Sequence, residues 1–518
     1  TQSMHSRRFL DVSLLRLRLR LLHKLRLLRH QLTSSMHPRV PFAVLLALLL
    51  ALLLAHSYPS ASSSTSPNGN DADAPLGLDN GPQHSGAVSG VINLAVGHPA
   101  TAMLPAEIMA SAMERAATNL RTGGVGAVPL NYVSARGDAE TLDIMAGFLT
   151  RAYGATVSPE SLVVTAGVSH GIDVVCSALT SPGDTVVVEL PTYFLAASIF
   201  TDHGLRVHGI AGTASYPHGD SSGNDGGVFD VDALAWQLRG GLRPRLVYLI
   251  PTHSNPRGGI LPVEARRRLV SLAHKYGFFI VADDVYHLLH WGQGPPPPRF
   301  IQVEHELINP HFEDNAGSVG HPEGADATKI NSAGICDVTH SCGSRIISVS
   351  SFTKILAPGL RLGWIEASPA LANKLAGRGY ILSGGCVAPF TASIVAEVIA
   401  SGDQVAHLAR LNHHYRRTSV VLADALSLYS SSLGWSFHTP VGGYFLWLKL
   451  PPRVTTELLA PAAAIAGVKF LPGERSVPVA LDLKLAAIYA VHDREPSAGA
   501  VGDELDVSYG GGGGGGFS

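Results

Sequence analysis

RIISVSSFTKILAPGLRLGW, residues 345–364, decides the fold. Its opening is β-branched and apolar, with no polar face, as in a strand covered by helices on both sides. The run then breaks into Ser350, Ser351 and Lys354, with Arg361 seven residues on. In open α/β sheets ligands bind beyond the carboxyl ends of the strands, so polar groups collected just after a buried strand mark a site.

Working outward, the same pattern recurs four times. LVVTAG (162–167) leads into Val168-Ser169-His170, and DTVVVEL (184–190) into Pro191-Thr192-Tyr193. RLVYLIP (245–251) leads into THSNPRGG with Asn255, and FFIVADD (278–284) carries Asp283 and Asp284, with Tyr286 close behind. Between these runs lie helical patterns such as Val263 to Tyr276. Strands alternating with helices predict an α/β protein with a mainly parallel sheet.

Composition narrows the class. The 518 residues are 46% hydrophobic and 15% charged, too apolar for a disordered chain. A formal net charge of −2 argues against a nucleic-acid binder, and no winged-helix module precedes residue 91. That total divides unevenly. Residues 1–39 hold eight Arg, one Lys and one acid, a net of +8, leaving −10 for the rest. The basic, Leu-rich start and the apolar run 40–55 predict a leader over 1–56. Secretory signal, membrane anchor and organellar transit peptide all fit it, so a location other than the plain cytosol is expected, with membrane contact only through that leader. Residues 57–90 have linker composition. Four cysteines make no disulfide framework, and the pair Cys336 and Cys342 lacks a second ligand pair for zinc, so no metal is expected. The 24 histidines read mostly as surface residues.

The groups after the strands share a chemistry. A helix N-terminus with hydroxyls and an arginine forms a phosphate cup. A strand-end carboxylate can hold a ring nitrogen protonated, Asn and Tyr can bond a ring oxygen, and an aromatic side chain can stack on a flat ring. A lysine beside them can bond an aldehyde. Pyridoxal 5′-phosphate uses all of these at once.

SNPRGG, ADDVY and SSFTKILAPGLRLGW, in that order, resemble the fold-type I, class I/II pyridoxal-phosphate aminotransferases. Asn255 to Asp283 spans 28 residues, and Asp283 to Tyr286 and Ser351 to Lys354 three each, which also agrees. INLAVGHP (92–99), NYVSARG (131–137), the strand pattern GGYFLWLKLP (442–451) and GVKFLPGE (467–474) resemble the flanking segments. The pattern is most similar to the branch of 2-aminoadipate and kynurenine aminotransferases. The resemblance implies a three-layer αβα large domain plus a smaller α+β domain built from both chain ends. Its boundaries would be 91–130 and 386–509 for the small domain, the latter incomplete, and 131–385 for the large one. Residues 292–343 would be a surface insertion and 510–518 a Gly-rich tail.

The resemblance also implies roles. Lys354 would bind the cofactor covalently and shuttle a proton between substrate Cα and C4′. Asp283 would hold the pyridine nitrogen protonated, with Asp284 left as a solvated or capping carboxylate. Asn255 and Tyr286 would bond the phenolic oxygen, and Tyr193 would stack on the ring. Ser351, Arg361, Ser169 and His170 would hold the phosphate, and Tyr132 would reach the phosphate of a neighbouring subunit in a homodimer. The Gly97 loop would border the substrate carboxylate. Plainer alternatives stay open: a core aromatic at Tyr193, an interface residue at Tyr132, and at His170 a helix-start residue whose backbone N–H alone matters.

The expected activity is amino-group transfer from an L-amino acid to a 2-oxo acid. A C–S or β-lyase shares the same motifs. One departure bears on activity. Where the family places a carboxylate-binding Arg near the chain end, this sequence has Asp506. An altered coding sequence, or a homologue that binds cofactor with impaired catalysis, would each account for it.

Overall fold

The computed structural model describes residues 91–95, 97–123, 128–212, 228–308, 343–452 and 454–477. The leader, the linker, Cys336, Cys342, Asp506 and the glycine tail lie outside the described residues. Within them no helix is long and apolar enough to cross a membrane, and no three His, Cys, Asp or Glu side chains could together hold a metal ion.

The described chain enters through β1 (Ile92–Asn93), α1 (Ala106–Thr122) and α2 (Ala139–Tyr153). It continues with β2 (Leu162–Thr165), α3 (Val168–Leu179), β3 (Thr185–Leu190), α4 (Phe194–Asp202), β4 (Arg206–Ala211) and α5 (Val231–Arg239). Next come β5 (Leu246–Leu249), α6 (Val263–Tyr276), β6 (Phe279–Asp283), α7 (Phe300–Ile308), β7 (Ile346–Ser351) and β8 (Gly363–Ala367). The remainder is α8 (Pro369–Ala376), α9 (Gly379–Gly384), α10 (Pro389–Ala400), α11 (Asp403–Leu433), α12 (Thr456–Ile465) and β9 (Val468–Lys469).

Seven strands form one sheet in the order β2-β8-β7-β6-β5-β3-β4. Only β8 runs antiparallel to its neighbours. Every residue of β2, β5, β6, β7 and β8 is buried, as in strands covered on both faces. The five apolar runs read from the sequence all form strands, and β4 and β8 are additions. Because β8 is reversed, its first residue lies at the edge where the others end. Gly363 pairs with both Thr165 and Ser351.

The pleat decides what faces where. Ile280 and Ala282 of β6 and Val247 and Leu249 of β5 join a core with α5, α6 and α7. Residues of opposite parity, Asp283 and Tyr248, therefore turn to the other face. There α3 crosses β7 and β8, with Gly171 close enough that a Cβ would meet Val349 Cγ1 at 3.4 Å. In a separate two-stranded sheet β1 pairs in parallel with β9, Ile92 opposite Val468, joining the two ends of the described chain.

Three expectations need correction. Asp284 is not solvated: it is 2% exposed, on the α6 and α7 face, and accepts a hydrogen bond from Ser348 Oγ at 2.5 Å. The stretch 292–343 does not begin as a surface insertion. Arg299 is buried and pairs with Glu366 at 2.6 Å, and α7 follows with Phe300 and Val303 in the core. Residues 442–451 form no regular strand. Leu446, Leu448 and Leu450 do pack beside Trp435 and Leu459, but the described residues give this segment only isolated bridges, Ser436 to Lys449 and His290 to Gly442. The alternation reports a buried face, not a ladder. Among the described histidines, His253, His287 and His407 are buried.

Candidate active site

The sheet edge carrying the strand ends gathers the residues named from the sequence. Lys354 lies in the turn after β7, half-buried. Its Nζ donates to the Gly97 carbonyl at 2.7 Å and stands 4.9 Å from the Tyr444 ring centroid. Burial brings the amine down to about 8, against the pull of Asp283. Tyr444 donates to the Lys354 carbonyl at 3.2 Å and shares a 3.0 Å hydroxyl contact with Tyr415. Gly97 is held closely, since a Cβ there would come within 2.8 Å of Phe445 Cζ.

Asp283 closes β6 and is 2% exposed. Tyr248 Oη donates to its Oδ2 at 2.9 Å, and the Val285 N–H to its Oδ1 at 3.3 Å. Burial pushes the carboxyl up to about 7. Tyr193, just after β3, is pushed up to about 12 by burial, with Asp283 and Arg361 as its charged neighbours. Tyr286 is buried against Tyr444 and Phe445, and burial, then Asp283 and Tyr193, raise its pKa. Lys354, Asp283, Tyr193, Tyr286 and Arg361 thus form one electrostatic cluster. Asn255 is half-buried in the turn that follows β5.

An anion cup adjoins this cluster. Gly167 (φ +90°) precedes α3, whose first-turn N–H groups lack intrahelical partners. Arg361, itself at φ +48°, bonds the Ala166 carbonyl at 3.3 Å, and a Cβ on Gly167 would come within 3.1 Å of its Nη2. Ser169 and His170 lie in the first turn. His170 Nδ1 accepts from the Ala166 N–H at 3.1 Å, while its buried Nε2 has no partner among the described residues. Ser351 is buried, and its Oγ accepts from the Thr353 N–H at 2.8 Å.

Tyr132 is 83% exposed, unlike the buried and half-buried groups above. Tyr248, Tyr444 and Tyr415 were not anticipated. A lone hydroxyl inside an otherwise apolar β5 was the available signal for Tyr248.

The sequence model of the family described as aminotransferase class I and II matches residues 89–474. The chain belongs to that family. As a class I/II aminotransferase it resembles an aromatic-amino-acid aminotransferase of Thermococcus litoralis, 28% identical over 74% of this chain and 80% of the relative. It also resembles a 2-aminoadipate transaminase of Thermus thermophilus, 29% identical over 74% of this chain and 81% of the relative. A solved α-aminoadipate aminotransferase from Thermus thermophilus, complexed with N-(5′-phosphopyridoxyl)-L-leucine, superposes with a TM-score of 0.57. It is 26% identical, covering 75% of this chain and 84% of its own. This chain is therefore a pyridoxal-phosphate-dependent transaminase of fold type I.

The residues present fit that cofactor. A buried carboxylate, a lysine able to lose its proton near neutral pH and a helix N-terminus beside Arg361 match its ring nitrogen, aldehyde and phosphate.

Proposed function

We propose that this transaminase moves the amino group of an L-amino acid to a 2-oxo acid with Lys354 as its proton carrier. The Lys354 amine, bonded to the Gly97 carbonyl and within the electrostatic reach of Asp283 and Arg361, supports this most directly. Pyridoxal phosphate, when bound, supplies an aldehyde that captures an amine and a ring that accepts the electron pair released at the substrate Cα. With the cofactor bound, Lys354 Nζ would be the group that takes up and gives back the substrate Cα proton, and an amine near 8 could do both close to neutral pH. Asp283 keeps a proton on the ring nitrogen, since a carboxylate beside a cation favours the charged form. Asn255 and Tyr286 would hydrogen-bond the phenolic oxygen, and Tyr193 would stack on the ring. Ser351, Arg361, the Ser169 hydroxyl and the His170 backbone N–H hold the phosphate. Gly97 borders the substrate carboxylate.

The chain is a homodimer in this reading, with Tyr132 reaching the phosphate in the partner subunit. Its 83% exposure leaves it free to do so. Donors of the aromatic or 2-aminoadipate class come first, from the names of the relatives, and the basic leader directs the protein to a membrane or organelle. Stopped addition of such donors to the cofactor-loaded protein tests the assignment. The visible band of the cofactor should bleach with a donor and recover with 2-oxoglutarate. No spectral change with any amino acid would contradict it.

A further inference from the structure

Tyr248 sits between Val247 and Leu249 in the middle of β5, fully buried. Its ring stands edge-on to Phe200 of α4, centroids 5.4 Å apart. A phenylalanine would fill that space. The hydroxyl is what needs explaining, because a buried polar group without a partner is costly. Its partner is Asp283 Oδ2 at 2.9 Å. The strands place the two side chains on one face: β5 pairs with β6 with Tyr248 opposite Val281, and Val281 and Asp283 share parity.

We infer that Tyr248 is a positioning residue whose hydroxyl keeps the Asp283 carboxylate ionised and aimed at the cofactor ring nitrogen, and so sets how strongly the ring withdraws electrons. This rests on the reading of Asp283 as the partner of that nitrogen. Tyr248 and the Val285 N–H occupy one site on each carboxylate oxygen, fixing its plane and leaving lone pairs for a third donor. Burial works against charge on Asp283, and the Tyr248 hydrogen bond opposes it, as do the Val285 N–H and Lys354. The other groups that act on the Asp283 charge are Tyr193, Tyr286 and, from the opposite face of the sheet, Asp284. Burial first, and then Asp283 itself, hold the Tyr248 hydroxyl well above 10, so it remains a donor at every working pH. Without that hydroxyl the carboxylate binds its proton more tightly and draws it from the ring nitrogen.

Tyr248→Phe in the cofactor-loaded protein tests this. kcat should fall by about tenfold or more, equivalent to about 1.4 kcal/mol, with KM unchanged. The pH midpoint of the visible cofactor band should move up, a change that lost packing would not produce. Combining Tyr248→Phe with Asp283→Asn should be no slower than Asp283→Asn alone, since one residue acts through the other. If Tyr248→Phe does not fold, 3,5-difluorotyrosine at position 248 keeps the ring and strengthens the donor, and the midpoint should move down. Wild-type kcat and midpoint in Tyr248→Phe, or an unmoved midpoint with the fluorinated residue, while Asp283→Asn is impaired, would overturn the role of Tyr248 and leave that of Asp283 standing. Wild-type behaviour in Asp283→Asn would overturn both.

Discussion

Lys354 and Asp283 oppose the fold that holds them, and the sign of each effect follows from its proton. The Lys354 amine falls from 10.5 to about 8 on folding, chiefly through burial. Between those values the unfolded chain binds a proton that the folded chain has released, so stability rises with pH across that window. Lys354→Met in the cofactor-free chain should melt higher than the parent below pH 8, and the advantage should shrink towards pH 10.5; thermal melts across that range check it. Asp283 is raised from 3.8 to about 7, so the folded chain binds the extra proton and stability falls with pH between those values. Both residues were legible because each follows a continuous apolar strand. Tyr248 and Tyr444 were not, because a tyrosine in an apolar run reads as core until its hydroxyl is located. Asp284 was misread: a pleat with helices on both faces buries both neighbours of a pair.

The anion cup depends on how closely β8, β7 and the start of α3 approach. A Cβ on Gly363 would lie 2.5 Å from the Ser350 carbonyl and 2.9 Å from Gly167 Cα, both backbone atoms. Gly363→Ala must push α3 away from β8. We expect a loss of about 1–3 kcal/mol from overpacking, seen as a lower melting temperature together with weaker pyridoxal phosphate binding. Beneath the sheet, Arg299 pairs with Glu366 and lies 3.6 Å over the Tyr153 ring. Arg299→Met would strand the Glu366 carboxylate in the interior at a cost of about 3–5 kcal/mol, and adding Glu366→Leu should recover most of it. Denaturant melts of the single and double variants measure both. The five strands were readable as short β-rich runs, several of them continuously apolar. Helix α7 was not, since its nine residues follow a proline run and precede a stretch without periodicity.

For the whole molecule, the exposed apolar side chains suit a second copy of the chain. Leu130, Tyr132, Tyr380, Leu382 and Phe390 are 45–83% exposed. They belong to neighbouring segments, since a Cβ on Gly385 would meet the Val133 carbonyl at 2.4 Å. Sedimentation should give a dimer. Mixing Lys354→Ala and Tyr132→Ala chains should restore activity beyond the sum of the parents, because the hybrid holds one complete site. No gain from hybrids that demonstrably form would contradict shared sites. This level was the least legible in the sequence, because a pattern of buried faces ends at the surface of one chain. The most direct measurement concerns the lysine itself. The purified, cofactor-loaded protein is reduced with borohydride, digested and mapped by mass spectrometry. The reduced cofactor should lie on the peptide carrying Lys354 and on no other lysine. Cofactor fixed elsewhere, or a folded protein that fixes none, would contradict it.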